Sequence, residues 1–270
     1  MKLSTVKSIR KIDYLYETGD RPVQVACSDK NTYICKYMQS TNRAYKLVSE
    51  LIGVLTAKAW NLSMPGYAFV DISDEHWEGC NVSHVLSAPA FGCKKLPEVT
   101  DINNMTFMQV ASDENVMRQL LGIALYDMWI ANEDRTYNNA NLLYDVNEKQ
   151  LISIDYGGIF NMATYGYPLS LLTLQDSILY SESFTHLSKN IESDKLLQIG
   201  LSMRPYYLSS LRKCKMNIRE GLLQIPSEWN MPHDVVERKV QELFKEEWTE
   251  RVWLNFIDCL KESINTNQYE

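Results

Sequence analysis

The sequence predicts an α+β fold of two unequal lobes, a small antiparallel β-sheet with one helix followed by a larger, mainly helical part. Three observations carry this. Residues 6–38 contain apolar runs that alternate as strands do, separated by turn residues. Residues 41–60 carry Leu47, Leu51, Val54 and Leu55 on one helical stripe. From Asp101 the pattern turns mainly helical, beyond a stretch Ser87–Lys95 in which Pro89 and Gly92 mark a linker. The expected lobes are residues 1–92 and 93–270.

Taken in order, Tyr14–Tyr16, Pro22–Cys27 and Thr32–Met38 form an antiparallel meander with turns at Glu17–Arg21 and Ser28–Asn31. Lys36 ends the third strand in otherwise apolar surroundings. It is either an edge lysine with its head in water or the partner of an inward carboxylate. Glu50 offers that carboxylate, because it lies three residues after Leu47 and four before Val54, at the edge of the apolar stripe. The alternative is a surface i,i+4 pair of Glu50 with Lys46, worth about 0.3–0.5 kcal/mol. Asn61–Gly66, with Pro65, ends the helix. Two further strands are expected at Tyr67–Ile72 and Val82–Leu86, around a polar turn at Ser73–Gly79. Phe91, in the linker, is either a base-stacking or a core residue, and core is favoured.

In the second lobe Ser112 or Asp113 caps a helix through about Ala131, with Val116, Met117, Leu120, Leu121, Ala124 and Met128 inward. That helix delivers a polar loop holding Glu133, Asp134, Arg135, Asn138, Asn139 and Asn141. Leu142–Tyr144, a turn at Asp145–Lys149 and a second apolar run ending at Asp155-Tyr156-Gly157-Gly158 make a hairpin. Such a hairpin brings Asp134, Asn139/Asn141 and Asp155 into one small volume. Two carboxylates and a carboxamide suit holding divalent cations on polyphosphate oxygens and orienting an attacking hydroxyl. Asp127 and Asn132 read as structural anchors, and Arg135 as a clamp on the loop or on a nearby carboxylate. Gly157–Tyr167 reads as a flexible docking or activation segment. Ser170, Thr173 and Ser177 are equally phosphorylation sites or helix caps. The rest reads as three helices, Lys195–Gly200, Pro205–Leu223 and Asp234–Ile264.

Asp134-Arg135, Asn139/Asn141 before Leu142-Leu143, and Ile154-Asp155-Tyr156-Gly157 resemble the catalytic and metal loops of HipA-like protein kinases, and more distantly those of the phosphoinositide kinases. The resemblance implies a bilobal protein-kinase-like fold, with ATP and Mg²⁺ as cofactors. It implies Asp134 as the group facing the acceptor hydroxyl, and Lys36, held by Glu50, on the nucleotide phosphates. It implies Asn139 or Asn141 together with Asp155 as metal ligands. The family places its Asn five residues after the Asp and directly before the strand. Asn139 meets the first condition and Asn141 the second, and Asn141 is favoured. Gly19, in the turn Thr18–Arg21, stands where kinases cover phosphates with a glycine-rich loop, although one glycine serves an ordinary hairpin turn as well. Thr136 replaces the usual His, and residues 17–24 hold no Ser for the regulatory site of HipA itself. The extra N-terminal subdomain of full-length HipA has no counterpart, so an antitoxin partner is not implied.

Composition excludes other classes. The 270 residues are 45% hydrophobic, ample for a packed core, and the net charge of −7 disfavours a nucleic-acid surface. No apolar run approaches the about 20 residues that span a bilayer. Six cysteines without a Cys-x-x-Cys pair, and no apolar leader, fit reduced thiols in a cytoplasmic protein. Four scattered histidines argue against structural zinc. The expected function is transfer of the γ-phosphoryl of ATP to a protein Ser or Thr, of unknown identity. A small-molecule or lipid kinase of the same fold, and an inactive nucleotide-binding module, are the alternatives.

Overall fold

The computed structural model describes residues 2–39, 43–82, 84–101, 113–136 and 139–267. Its first sheet has six strands, β1 (Ser4–Lys7), β2 (Tyr14–Leu15), β3 (Val23–Ala26), β4 (Thr32–Lys36), β5 (Tyr67–Asp71) and β6 (Ala90–Lys94), in the order β1-β5-β6-β4-β3-β2. The meander β2-β3-β4 is antiparallel, as its short connections require, while β1 runs parallel to β5. Helix α1 (Arg43–Ala59) packs against the sheet and is followed by Asn61, which takes the left-handed conformation. A second sheet, β7 (Val99–Asp101), β8 (Leu142–Asp145) and β9 (Gln150–Ser153), is antiparallel throughout. The remaining right-handed α-helices among the described residues are α2 (Glu114–Ile130), α3 (Glu182–Ser188), α4 (Ser193–Leu201), α5 (Arg204–Leu222), α6 (His233–Glu242) and α7 (Glu246–Asn267).

The stretch Ser87–Lys95 is not a linker. Its second half is β6, an interior strand bonded to both β4 and β5, and the sheet therefore runs to Lys94. Pro89 immediately precedes the strand, where its missing N–H costs no ladder bond. Gly92 is a packing requirement, since a Cβ there would lie 2.6 Å from Val70. Of the strand expected at Val82–Leu86, Val82, His84, Val85 and Leu86 lie outside any strand, and Ser83 is outside the described residues. Strand β1, with Val6 alone buried, has too short an alternation to read from sequence. The span Asp234–Ile264 is two helices, because the apolar period runs on through Leu243 and Phe244 while the backbone breaks between α6 and α7. There Trp129 Nε1 donates to the Leu243 carbonyl at 2.9 Å.

One apolar core unites α1 with the helices of the second lobe, and a smaller one fills the other face of the first sheet. Trp60, Trp129 and Trp229 are fully buried, and Trp60 stacks on Trp129 at 5.3 Å. Tyr126 Oη donates to the Gly53 carbonyl at 2.8 Å. Gly221 admits Leu55, whose Cδ1 would stand 2.5 Å from an added Cβ. Helix α1 is thus fixed to α2 and α5 as well as to its own sheet. This matters because α1 carries Glu50.

Candidate active site

Three structural elements converge on one cleft of about 370 Å³. Strand β4 brings Lys36 to its end, and α1 brings Glu50, 3% exposed, to face it. Lys36 Nζ donates to Glu50 Oε1 at 2.5 Å and to Asp155 Oδ1 at 2.6 Å. The second Glu50 oxygen accepts the Tyr156 backbone N–H at 2.9 Å, so one buried carboxylate joins the sheet lobe to the loop after β9. Burial pushes the Glu50 carboxyl up, to about 7, against the pull of Lys36. Burial also disfavours charge on Asp155, but Lys36 outweighs it and holds that carboxyl down. Lys46 does not pair with Glu50; it reaches Asp20 of the turn Thr18–Arg21 at 2.9 Å.

The other wall is built by α2. Asp113 caps it, accepting from Asn115 N and Val116 N, while Ser112 lies outside the described residues. Ala131, in the left-handed region at φ 53°, ends the helix and turns the chain into the loop. Arg135 then folds inward and is 0% exposed. Its Nε donates to Asp127 Oδ2 at 2.8 Å, and its Nη2 to Ser153 Oγ at 2.7 Å and the Ile154 carbonyl at 3.3 Å. Its Nη1 reaches the carbonyls of Ala140, at 3.1 Å, and Asn141. Asn132 Nδ2 holds the other oxygen of Asp127 at 2.9 Å. One guanidinium therefore ties the helix end, both ends of the loop and the β9 exit together, and Asp127 and Asn132 are the anchors expected.

Asp134 projects from this locked loop. Asn139 Nδ2 donates to its Oδ1 at 3.2 Å and Asn141 Nδ2 to its Oδ2 at 3.3 Å. Tyr137 and Asn138, between Asp134 and Asn139 in sequence, lie outside the described residues. Burial, then the nearby Asp155, raises the Asp134 carboxyl above the ordinary aspartate range. That direction makes the carboxylate a better proton acceptor than an ordinary aspartate. Asn141 and Asp155 both adopt positive φ, 45° and 59°, a conformation that Asn and Asp tolerate better than other residues with side chains. After Asp155 the chain makes a left-handed turn over Phe160–Ala163, tied by Asn161 N to the Ala131 carbonyl at 2.8 Å. Thr173 bonds Asp176, and Ser177 caps the short turn Ile178–Tyr180.

The structure thus gathers Gly19, Lys36, Asp134, Asn139, Asn141 and Asp155 around one cleft, with Glu50 behind Lys36. Phe91 is not at the cleft. It is 2% exposed and packs on Tyr67, Phe69 and Trp229, so the base-stacking option gives way to the core one. Among the described residues no three His, Cys, Asp or Glu side chains form a ready metal cage. The Asp155 carboxylate and the carboxamide oxygen of Asn139 or Asn141 nevertheless fit a hard divalent cation that keeps waters and phosphate oxygens in its shell. Sequence reasoning missed Asp20 and Gly158. A Cβ on Gly158 would stand 2.3 Å from Asp134 Cβ, so the Gly-Gly pair is there for close approach of the two loops. The pair itself was the available signal.

This arrangement has a counterpart among known families. The profile of the HipA-like kinases matches residues 9–251. The chain belongs to that family. As a HipA-like kinase it is a phosphotransferase of the kinase type, and its sheet-and-helix lobes are those of a kinase fold. The crystal structure of a Helicobacter pylori proinflammatory kinase, CtkA, is similar over 97% of this chain and 99% of its own, with a TM-score of 0.52 and 12% identity. An open conformation of CtTel1 matches 91% of this chain and 12% of its own, with a TM-score of 0.28 and 13% identity, too low to carry an argument. A search of curated proteins gives no match. No helix among the described residues is long and apolar enough to cross a membrane.

Proposed function

We propose that this HipA-like kinase transfers the γ-phosphoryl of Mg·ATP to a serine or threonine hydroxyl of a protein. The observation that carries the reading is the shared Lys36. It joins Glu50 and Asp155 at 2.5 and 2.6 Å in the cleft that Asp134 faces.

In this reading Lys36 neutralises phosphate charge, and Glu50 keeps its ammonium in place at the end of β4. Asp134 orients the acceptor hydroxyl and takes its proton as the new O–P bond forms. The bond from the γ-phosphorus to the bridging oxygen breaks, and ADP leaves. Asp155 and Asn139 or Asn141 are the side chains that would hold Mg²⁺. Bound there, Mg²⁺ supplies charge neutralisation and alignment of the β- and γ-phosphate oxygens. The chain's own contribution is mainly positioning, through the Arg135 clamp on one wall and the Glu50 carboxylate on the other. Met162 is half exposed where it lines the cleft, and Tyr167 beyond it is exposed, which supports an acceptor as large as a protein segment. The six free thiols support a reducing, cytoplasmic setting.

The test is incubation with γ-labelled ATP, Mg²⁺ and a protein lysate, followed by identification of the labelled amino acid. Label on phosphoserine or phosphothreonine is the expected result. Label confined to a small molecule would contradict the protein acceptor, and no label at all would contradict transfer.

A further inference from the structure

The turn Thr18–Arg21 is closed by Arg21 N donating to the Thr18 carbonyl at 2.9 Å. It places Gly19 on the cleft and points the Asp20 carboxylate inward. Lys46 Nζ lies 2.9 Å from Asp20 Oδ1, and Lys36 Nζ lies 3.5 Å from Oδ2. Lys46 precedes Glu50 by one helical turn of α1 and so shares its face, about 6 Å along the axis. Two ammonium groups from different elements therefore converge on a single carboxylate.

The two lysines differ in what else they hold. Lys36 is already bound to Glu50 and Asp155, so Asp20 is its third and most distant carboxylate. Among the described residues, the carboxylate that Lys46 pairs with is Asp20. Asp20 in turn stands among carboxylates, with Asp134 and Asp155 on the same cleft. A polyphosphate entering here brings further negative charge to the same cations. It repels Asp20 and competes with it for both ammonium groups, because a phosphate oxygen and a carboxylate oxygen make the same kind of charge-assisted bond.

We propose that Lys46 is a second phosphate-binding cation, and that Asp20 occupies its place until a nucleotide displaces it. The inference rests on the kinase reading and deepens it. Lys36 serves the phosphates from the sheet, and Lys46 serves them from the helix once the turn releases it.

The experiment is calorimetric titration of the full chain with Mg·ATP and, separately, with adenosine. It uses the wild type, Lys46→Met, Lys46→Arg, Asp20→Asn and the double variant Asp20→Asn/Lys46→Met. Lys46→Met weakens ATP about 10-fold, the size of one charged hydrogen bond, and leaves adenosine unchanged. Lys46→Arg restores most of the loss. Asp20→Asn tightens ATP about threefold, and tightens it less once Lys46 is gone, because the two groups are coupled. Lys46 is 39% exposed, so its variants keep the wild-type melting temperature. Unchanged ATP affinity in Lys46→Met, or an equal loss of adenosine, overturns the inference while leaving the kinase reading intact. Weaker ATP binding in Asp20→Asn overturns the role of Asp20. A wild type that binds neither ligand removes the kinase reading and this inference with it.

Discussion

The two walls of the cleft are held in different ways. The Asp134 wall is fixed by a fully buried guanidinium that bonds Asp127, Ser153 and three backbone carbonyls. The wall carrying Gly19 and Asp20 is a hairpin turn attached to the cleft by ion pairs of one carboxylate with Lys36 and Lys46. Gly19 itself has no atom within 4 Å of where a Cβ would stand, whereas Gly158 on the fixed wall has one at 2.3 Å. The contrast matches the chemistry proposed for each side. Groups that face an acceptor hydroxyl and hold cations need sub-ångström positioning. A turn that covers phosphates must let nucleotide in and out.

This comparison can be broken at several points. The largest effect belongs to Asp134→Asn, which should lower turnover by about 10²–10⁴-fold while leaving ATP affinity nearly intact. Steady-state kinetics beside a binding titration separate the two. Next comes Arg135→Met, which strands the buried Asp127 carboxylate and should cost about 3–5 kcal/mol of stability. Urea unfolding reads it directly, and a loss under about 1 kcal/mol would mean that the clamp is not what holds the wall. Gly158→Ala should cost about 1–3 kcal/mol, because Asp134 must shift to admit the methyl group, and should lower turnover with it. Wild-type melting temperature and turnover in that variant would show that the loops have room to spare. The smallest effect is expected of Gly19→Ala on the loose wall, within about 0.5 kcal/mol by the same unfolding measurement. A loss as large as that at Gly158 would erase the distinction between the walls.

The fixed wall was largely legible in the sequence. An apolar helix, Asp-Arg, Asn before an apolar run and then Asp-Tyr-Gly-Gly after a hairpin turn fix both the order and the spacing of the groups. The inward Glu50 was legible because helical periodicity puts it at the edge of an apolar stripe. The rest depended on tertiary approach. Nothing local tells that Asp20 turns into the cleft, or that Lys46 answers it rather than Glu50. Strand β6 hid behind Pro89 and Gly92, whose usual meaning as breakers yields here to a strand start and to contact with Val70. The break between α6 and α7 hid because an apolar stripe continues across it.

The most direct test of the central claim places the wild type and Asp134→Asn side by side in a single-turnover reaction with γ-labelled Mg·ATP, with ATP binding measured on the same samples. The account predicts equal ATP binding and loss of phosphoryl transfer in the variant. Equal transfer by the two proteins would take Asp134 out of the chemistry, and with it the assignment of this cleft.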